Sequence, residues 1–281
     1  MNTNHTWIKY LAIAFGLVLA LGIISSIVNG GVALLRGFGF IDNRPPITEQ
    51  NSHRFKQDFS GKLESVLIKF DAGSITLQSG DTFQVEGTNI PASLTATLDN
   101  SKLVIEDQEN TNILPNLIGK DKAPNLVVTI PRDTHLKKTE LEIGAGRGEL
   151  LEIITDELIL KQGAGEIVAD QLQADSGKLN GGAGAVHFTD VQLNDFAIKG
   201  GVGLIDIQGL VTGDLEIDCG VGQTSLDINA SVNDYFITAD QGIGPITING
   251  QNLSETGTGS KSAPHHIDID GGVGPVNLTF K

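Results

Sequence analysis

The chain has 281 residues, room for one large domain or two small ones, and a formal net charge of −15. Residues 1–40 hold Lys9 and Arg36 and no acid, so the remainder carries −17. Such a surface repels nucleic acid and anionic headgroups, and no basic patch with interleaved aromatics offsets it, so nucleic-acid binding is excluded.

Leu11 to Val28 is an uncharged apolar run, and Trp7, Ile8 and Tyr10 extend it to the ~20 residues a membrane-spanning helix needs. Trp7 and Tyr10 suit the headgroup belt and Lys9 can snorkel outward. The expectation is an uncleaved anchor. The rival, a signal peptide cut after Val18-Leu19-Ala20, is weakened by the apolar sequence that continues past it. Val32–Phe40 is apolar but too short to span, and is expected at the interface. Lys9 and Arg36 flank the span and nearly cancel the positive-inside bias. A short N-terminus before a long acidic domain fits an N-inside anchor on the cell membrane, with the rest outside the cytoplasm. Residues 1–40 are thus read as anchor and juxtamembrane segment, 41–60 with Pro45-Pro46 as a polar linker, and 61–281 as the folded domain. The single cysteine, Cys219, excludes an intrachain disulfide.

From Ser65 the pattern is that of strands: Val66–Phe70 and Ser74–Leu77 around a corner at Asp71-Ala72-Gly73, then Phe83–Glu86, Leu94–Leu98 and Leu103–Ile105, with a hairpin turn at Asp99-Asn100-Ser101. Residues 107–124 are a polar excursion, and Leu126–Ile130 is a strand stopped by Pro131.

A Gly-x-Gly motif then recurs every 19 residues, at Gly144/Gly146, Gly163/Gly165, Gly182/Gly184, Gly201/Gly203 and Gly220/Gly222. It continues at Gly242/Gly244 and Gly272/Gly274 after intervals of 22 and 30 residues. A fixed period of this length marks stacked structural repeats. With the glycines at positions 6 and 8 of each unit, position 3 reads Leu141, Leu160, Leu179, Ile198, Ile217, Ala239, Ile269. Position 12 reads Leu150, Ala169, Phe188, Ile207, Leu226, Ile248, Leu278, and position 4 is polar every time. This is the alternation of strands with one buried face. The expected fold is all-β: a single-stranded β-solenoid of ~19-residue coils, regular from about residue 139 and preceded by one transmembrane helix. Each coil should be two strands meeting at the Gly-x-Gly corner, with the small residue between the glycines pointing into the core. A turn near positions 17–19 should close it. Seven such coils would span roughly 30–35 Å. Ser254–Ser262 reads as a loop extruded between coils, and His265-His266 as part of it.

The glycines lack the nucleotide-binding spacing, since Glu149 stands where a third glycine is needed after Gly144-Ala145-Gly146. Gly200-Gly201-Val202-Gly203-Leu204-Ile205-Asp206 departs from the nine-residue calcium roll by one place and by its period. His187 lies in an outward polar column and Cys219 before a glycine corner, so both read as structural. The sequence therefore assigns no catalytic residue, no metal ligand and no cofactor, and the chain is read as a non-enzyme. The alternative is a glycan-acting solenoid hydrolase or lyase. It would need clustered carboxylates with Arg or Lys, whereas the acids here are scattered and the only tryptophan is Trp7. A passive spacer is the third possibility.

Val127–Asp133, then Leu136, then coils of the form Leu-x-Leu/Ile-x-x-Gly-Ala/Val-Gly resemble a bacterial "putative adhesin" family of toast-rack β-solenoids found in envelope-associated proteins. The resemblance covers roughly residues 60–281. It implies a binding or scaffold role in the cell envelope, in adhesion or envelope stress, and no catalytic residues. The expected partners are the membrane, envelope proteins or a surface polymer. A second copy is a further candidate, docking on a C-terminal coil whose last strand, Val276–Lys281, should leave a bare edge.

Overall fold

The computed structural model describes residues 53–107, 123–253 and 257–281. The expected transmembrane run and the interfacial stretch lie outside them, as does most of the polar excursion. Among the described residues no helix is long and apolar enough to cross a membrane.

The described part is all-β, with one short 3-10 turn at Val232–Asp234. Its unit is a strand bent at the glycine corner into a leading and a trailing arm. In chain order, coil 1 is Ser65–Gly80, and coil 2 combines Lys102–Asp107 with Asn125–Pro131. Coil 3 is His135–Leu151 and coil 4 Ile154–Asp170. Coil 5 joins Gln173–Asn180 to residues 183–189, coil 6 spans residues 192–209, and coil 7 joins residues 212–218 to Val221–Ile228. Coil 8 is Tyr235–Asp240 with Ile246–Ile248, and coil 9 His265–Asp270 with Val276–Phe280.

Coils 3 to 7 stack in parallel with the 19-residue register of the sequence: Ala145 faces Ala164, Ala164 faces Ala183, Ala183 faces Val202 and Val202 faces Val221. At both ends chain order and stacking order part. Coil 1 lies between coils 2 and 3, pairing Leu67 with Val104 on one side and Glu140 on the other. Coil 9 lies between coils 7 and 8, with Ile269 flanked by Ile217 and Ala239, and Leu278 by Leu226 and Ile248. The spatial order is 2-1-3-4-5-6-7-9-8, which at ~4.8 Å per step gives about 38 Å from first coil to last. The 22- and 30-residue intervals follow from this, because the chain builds one coil out and returns to fill the gap.

The expected bare strand Val276–Phe280 is consequently paired along both edges. The outer faces are capped elsewhere. At one end Leu94–Asp99 lies antiparallel on coil 2, turning at Asn100 and Ser101, both with positive φ as a two-residue hairpin requires. Gln84–Ile90 covers the other arm, and His53–Asp58, inside the segment expected to be linker, adds a further strand. At the other end Gln251–Asn252 pairs with coil 8, and Thr258 exchanges two backbone bonds of 2.8 and 2.9 Å with Ile237. The described part of the expected loop is therefore an end cap, and His265-His266 opens a strand. Covered edges protect the stack against indiscriminate strand addition.

The core is one continuous apolar cluster. Leu141, Leu160, Leu179, Ile198, Ile217 and Ile269 of position 3 and all seven residues of position 12 are buried. Fully burying each large aliphatic side chain contributes about 1.5–3 kcal/mol before entropy is counted. The closing turn sits earlier than expected, at position 14. Glu152, Gln171 and Asp190 adopt φ of 56°, 53° and 53°, and the Glu152 amide donates to the Asp170 carbonyl of the next coil at 3.0 Å. One left-handed residue turns the chain, so pairing resumes at position 16 with Ile154. The residue between the glycines is half-exposed rather than inward in Ala145, Ala164 and Ala183, and 51% exposed in Ile243. Stacked backbones already fill that vertex.

Candidate functional site

Two columns of glycine form the corner. Gly184 has φ +146°, and a Cβ there would lie 1.8 Å from the Gly165 carbonyl oxygen. At Gly182 the obstacle is the Gly163 carbonyl at 1.9 Å, with an ordinary φ. The first column thus requires close backbone approach, and the second requires both approach and positive φ. The column follows spatial order: a Cβ on Gly274 would meet Gly222 at 1.7 Å, and one on Gly244 would meet Gly274 at 2.1 Å. Gly73 belongs to it too, at the corner of coil 1, but its 73-residue offset from Gly146 hid it in the sequence. All fourteen glycines singled out from the sequence lie along this one edge and leave no room there for a ligand.

What remains for chemistry is the lateral faces, where outward columns run along the stack. Over coils 1 to 6 opposite charges interleave. Lys138 meets Glu157 at 3.0 Å, Lys161 meets Glu140 at 3.0 Å and Glu142 at 3.3 Å, and Arg147 bridges Glu149 at 2.6 Å and also reaches Glu166. His187 stands between Glu166 and Asp206, at 3.9 and 3.8 Å. Lys137 and Lys62 hydrogen-bond Glu64 and hold its carboxyl down to about 2. The hydrogen bond from Lys161 holds Glu140 below the usual carboxylate range. Beside the corner, Lys69, Asp71, Glu142, Lys161 and Asn180 line a shallow groove of about 400 Å³ floored by glycine backbone. Its Glu142 is paired with Lys161 across the coils at 3.3 Å.

Coils 7, 9 and 8 differ. Residues 201–281 contain ten carboxylates against Lys261 and Lys281. Asp218, Asp270 and Asp240 occupy one column on successive strands, with Glu216 and Asp268 two residues before. The ties here are Asp214 with His266 at 3.1 Å, Thr238 with Asp268 at 2.7 Å and Lys281 with Asp227 at 2.9 Å. Burial pushes the Cys219 thiol up, the opposite of what a nucleophile requires.

One grouping escaped sequence reasoning. His135, Asp156 and Asp175, on successive coils, place one ligand atom each within 4.8 Å of one another. All three are exposed, and His135 and Asp156 already pair at 2.6 Å. A search of columns from position 17 onward would have found the two aspartates, but His135 faces Ile154 in the regular register and sits two positions before their column.

Fold and surface together define a parallel β-solenoid closed at both ends and displaying charge along its sides. The chain belongs to the Toastrack DUF4097 family, whose profile matches residues 63–267. No curated relative matches it. Among solved structures it is similar to a "putative cell adhesion protein" of Clostridium sporogenes, at 16% identity, covering 82% of this chain and 100% of that one with a TM-score of 0.37. It is similar also to a "putative adhesin" of Bacteroides fragilis, at 12% identity, 80% and 97% coverage and a TM-score of 0.44. A third is a "putative lipid binding protein" of Parabacteroides distasonis, at 15% identity, 82% and 97% coverage and a TM-score of 0.42. Likenesses of that degree say nothing about what this chain binds.

Proposed function

We propose that the chain is a binding or scaffold module of the cell envelope, tethered by residues 1–40 to the membrane with the solenoid outside the cytoplasm, and without catalytic activity. The observation that carries the reading is the ruled lateral surface: charged side chains fixed in columns at strand spacing, between two capped ends. Rigid, pre-ordered columns bind an extended partner with little entropy left to lose. The first described strand, His53–Asp58, pairs with Gln84–Ile90 at the coil 2 end.

The test is affinity capture from native membranes with the full chain, comparing wild type with Arg147→Glu and Lys161→Glu, which reverse the lateral columns. An envelope protein or surface polymer recovered by wild type and lost at least fivefold by the variants is the expected result. Equal recovery by all three would reject the lateral face. Turnover of an envelope polysaccharide by the purified chain would revive the hydrolase reading instead.

A further inference from the structure

Coil 9 occupies a gap that the rest of the chain leaves for it. Coils 7 and 8 both pair with it in one register, Asp218 and Asp240 flanking Asp270, so the two walls of the gap are aligned with each other. The gap is selective. A Cβ at position 272 would lie 1.9 Å from the Gly220 carbonyl oxygen, and one at 274 would lie 1.7 Å from that of Gly222, so an occupant must carry Gly-x-Gly with apolar residues inward.

Coil 9 is tied at its margins by Asp214–His266, Lys281–Asp227 and Thr238–Asp268, but the column that runs through Asp270 carries like charges on both sides. Coils 3 and 4 are joined by Lys138–Glu157 and by Lys161–Glu142, whereas both faces of coil 9 oppose aspartate to aspartate. Like charges directly opposed on neighbouring strands are unfavourable. Pro275 and Pro245 follow the second glycine in coils 9 and 8, so each lacks the N–H that Gln223 can offer in coil 7. The chain runs from Ile248 to coil 9 through residues 249–264, in which Gln251–Asn252 and Thr258 pair with coil 8, so a coil that leaves the gap must first release the two Thr258 bonds.

We propose that the gap between coils 7 and 8 is an insertion site for a β-coil, filled by the chain's own residues 265–280 and exchangeable for the same residues of a second copy. The exchanged state has the same ladders and the same repulsions as the closed one. Opposed aspartates and prolines therefore hasten departure of the coil, and concentration decides where it inserts. A tethered coil competes at an effective concentration on the order of millimolar, so exchange grows as copies are crowded together.

The experiment uses the full-length chain with Asp214→Cys and His266→Cys, facing positions on coils 7 and 9, in a Cys219→Ala background. After oxidation, non-reducing electrophoresis should show an intrachain-bridged monomer and an interchain-bridged dimer. Their ratio should shift toward dimer about tenfold for a tenfold rise in concentration while dimer is minor. Lys138→Cys with Glu157→Cys, facing positions on coils 3 and 4, should give the intrachain bridge alone. Only intrachain bridges at every concentration, no bridge at 214–266, or equal dimer from the control pair would each overturn the proposal. Hydrogen exchange on the unmodified chain is a second reading. The Cys219 amide donates to Asp270 of coil 9 as the Gly200 amide donates to Asp218 of coil 7. After correction for residue type, Cys219 should exchange at least tenfold faster than Gly200, and equal protection would overturn a labile coil.

Discussion

At the level of single residues the corner glycines are the most constrained positions. Gly203→Ala puts a Cβ 1.7 Å from the Gly184 carbonyl at φ +146°, so it must displace backbone on two coils. Denaturant unfolding should record a loss of at least about 3 kcal/mol. Gly250→Ala, at φ +76° with nothing within 4 Å of the new Cβ, should cost only about 1–2 kcal/mol. Comparable losses at both sites would mean that φ alone, and not stacking, explains the motif. Cys219 should react with iodoacetamide at pH 8 more slowly than a free thiol, since burial disfavours its thiolate; reaction at the free-thiol rate would contradict that environment. The period announces these glycines, yet it could not tell whether position 7 faced in or out. Alternation fails where the chain turns.

At the level of the element, coil 8 is pinned to its neighbours by Tyr235. Its hydroxyl donates to the Val211 carbonyl, and its ring packs on Phe280 at 5.0 Å and His265 at 5.2 Å. Burial raises its pKa from 10.0 to about 12. The folded state therefore holds this proton more tightly than the unfolded state does. The stabilisation is complete below pH 10 and declines as pH rises from 10 toward 12. Tyr235→Phe should weaken the fold by about 1 kcal/mol at neutral pH and remove that part of the alkaline slope; an unchanged slope would assign it to other groups. Asp270→Asn should raise the melting temperature by about 1–2 °C at low salt, with a smaller gain at high salt. A fall would show that the carboxylate column is stabilising. The leading and trailing arms were legible as alternating apolar columns. The closing turn was not, because Glu152 and Gln171 are unusual left-handed residues and carry no turn signature.

At the level of the whole molecule, one interior coil is a removable unit while the last is not. Deleting residues 154–172, a full 19-residue period, joins Ile153 to Gln173 in register. It should leave a cooperatively folded chain whose denaturant m-value falls by about a tenth. Removing residues 257–281 instead strips the partner from coils 7 and 8 together. That truncation should associate, seen as a rise in mass by light scattering. A monodisperse monomer would show that coil 8 closes directly onto coil 7, as its own Gly242-Ile243-Gly244 corner permits.

The sequence by itself determined the period, the buried columns and the glycine edge. Each is a local demand that coils 3 to 7 repeat, so it is written nineteen residues apart from Gly144 to Gly222. Only the tertiary structure decided the order of the coils. A gap between coils 7 and 8 is filled equally well by any coil with the same inward pattern, and coils 8 and 9 share that pattern. Which of them lies inside depends on long-range pairing across 52 residues, from Asp214 to His266. Repetition, which made the fold readable, made its connectivity degenerate.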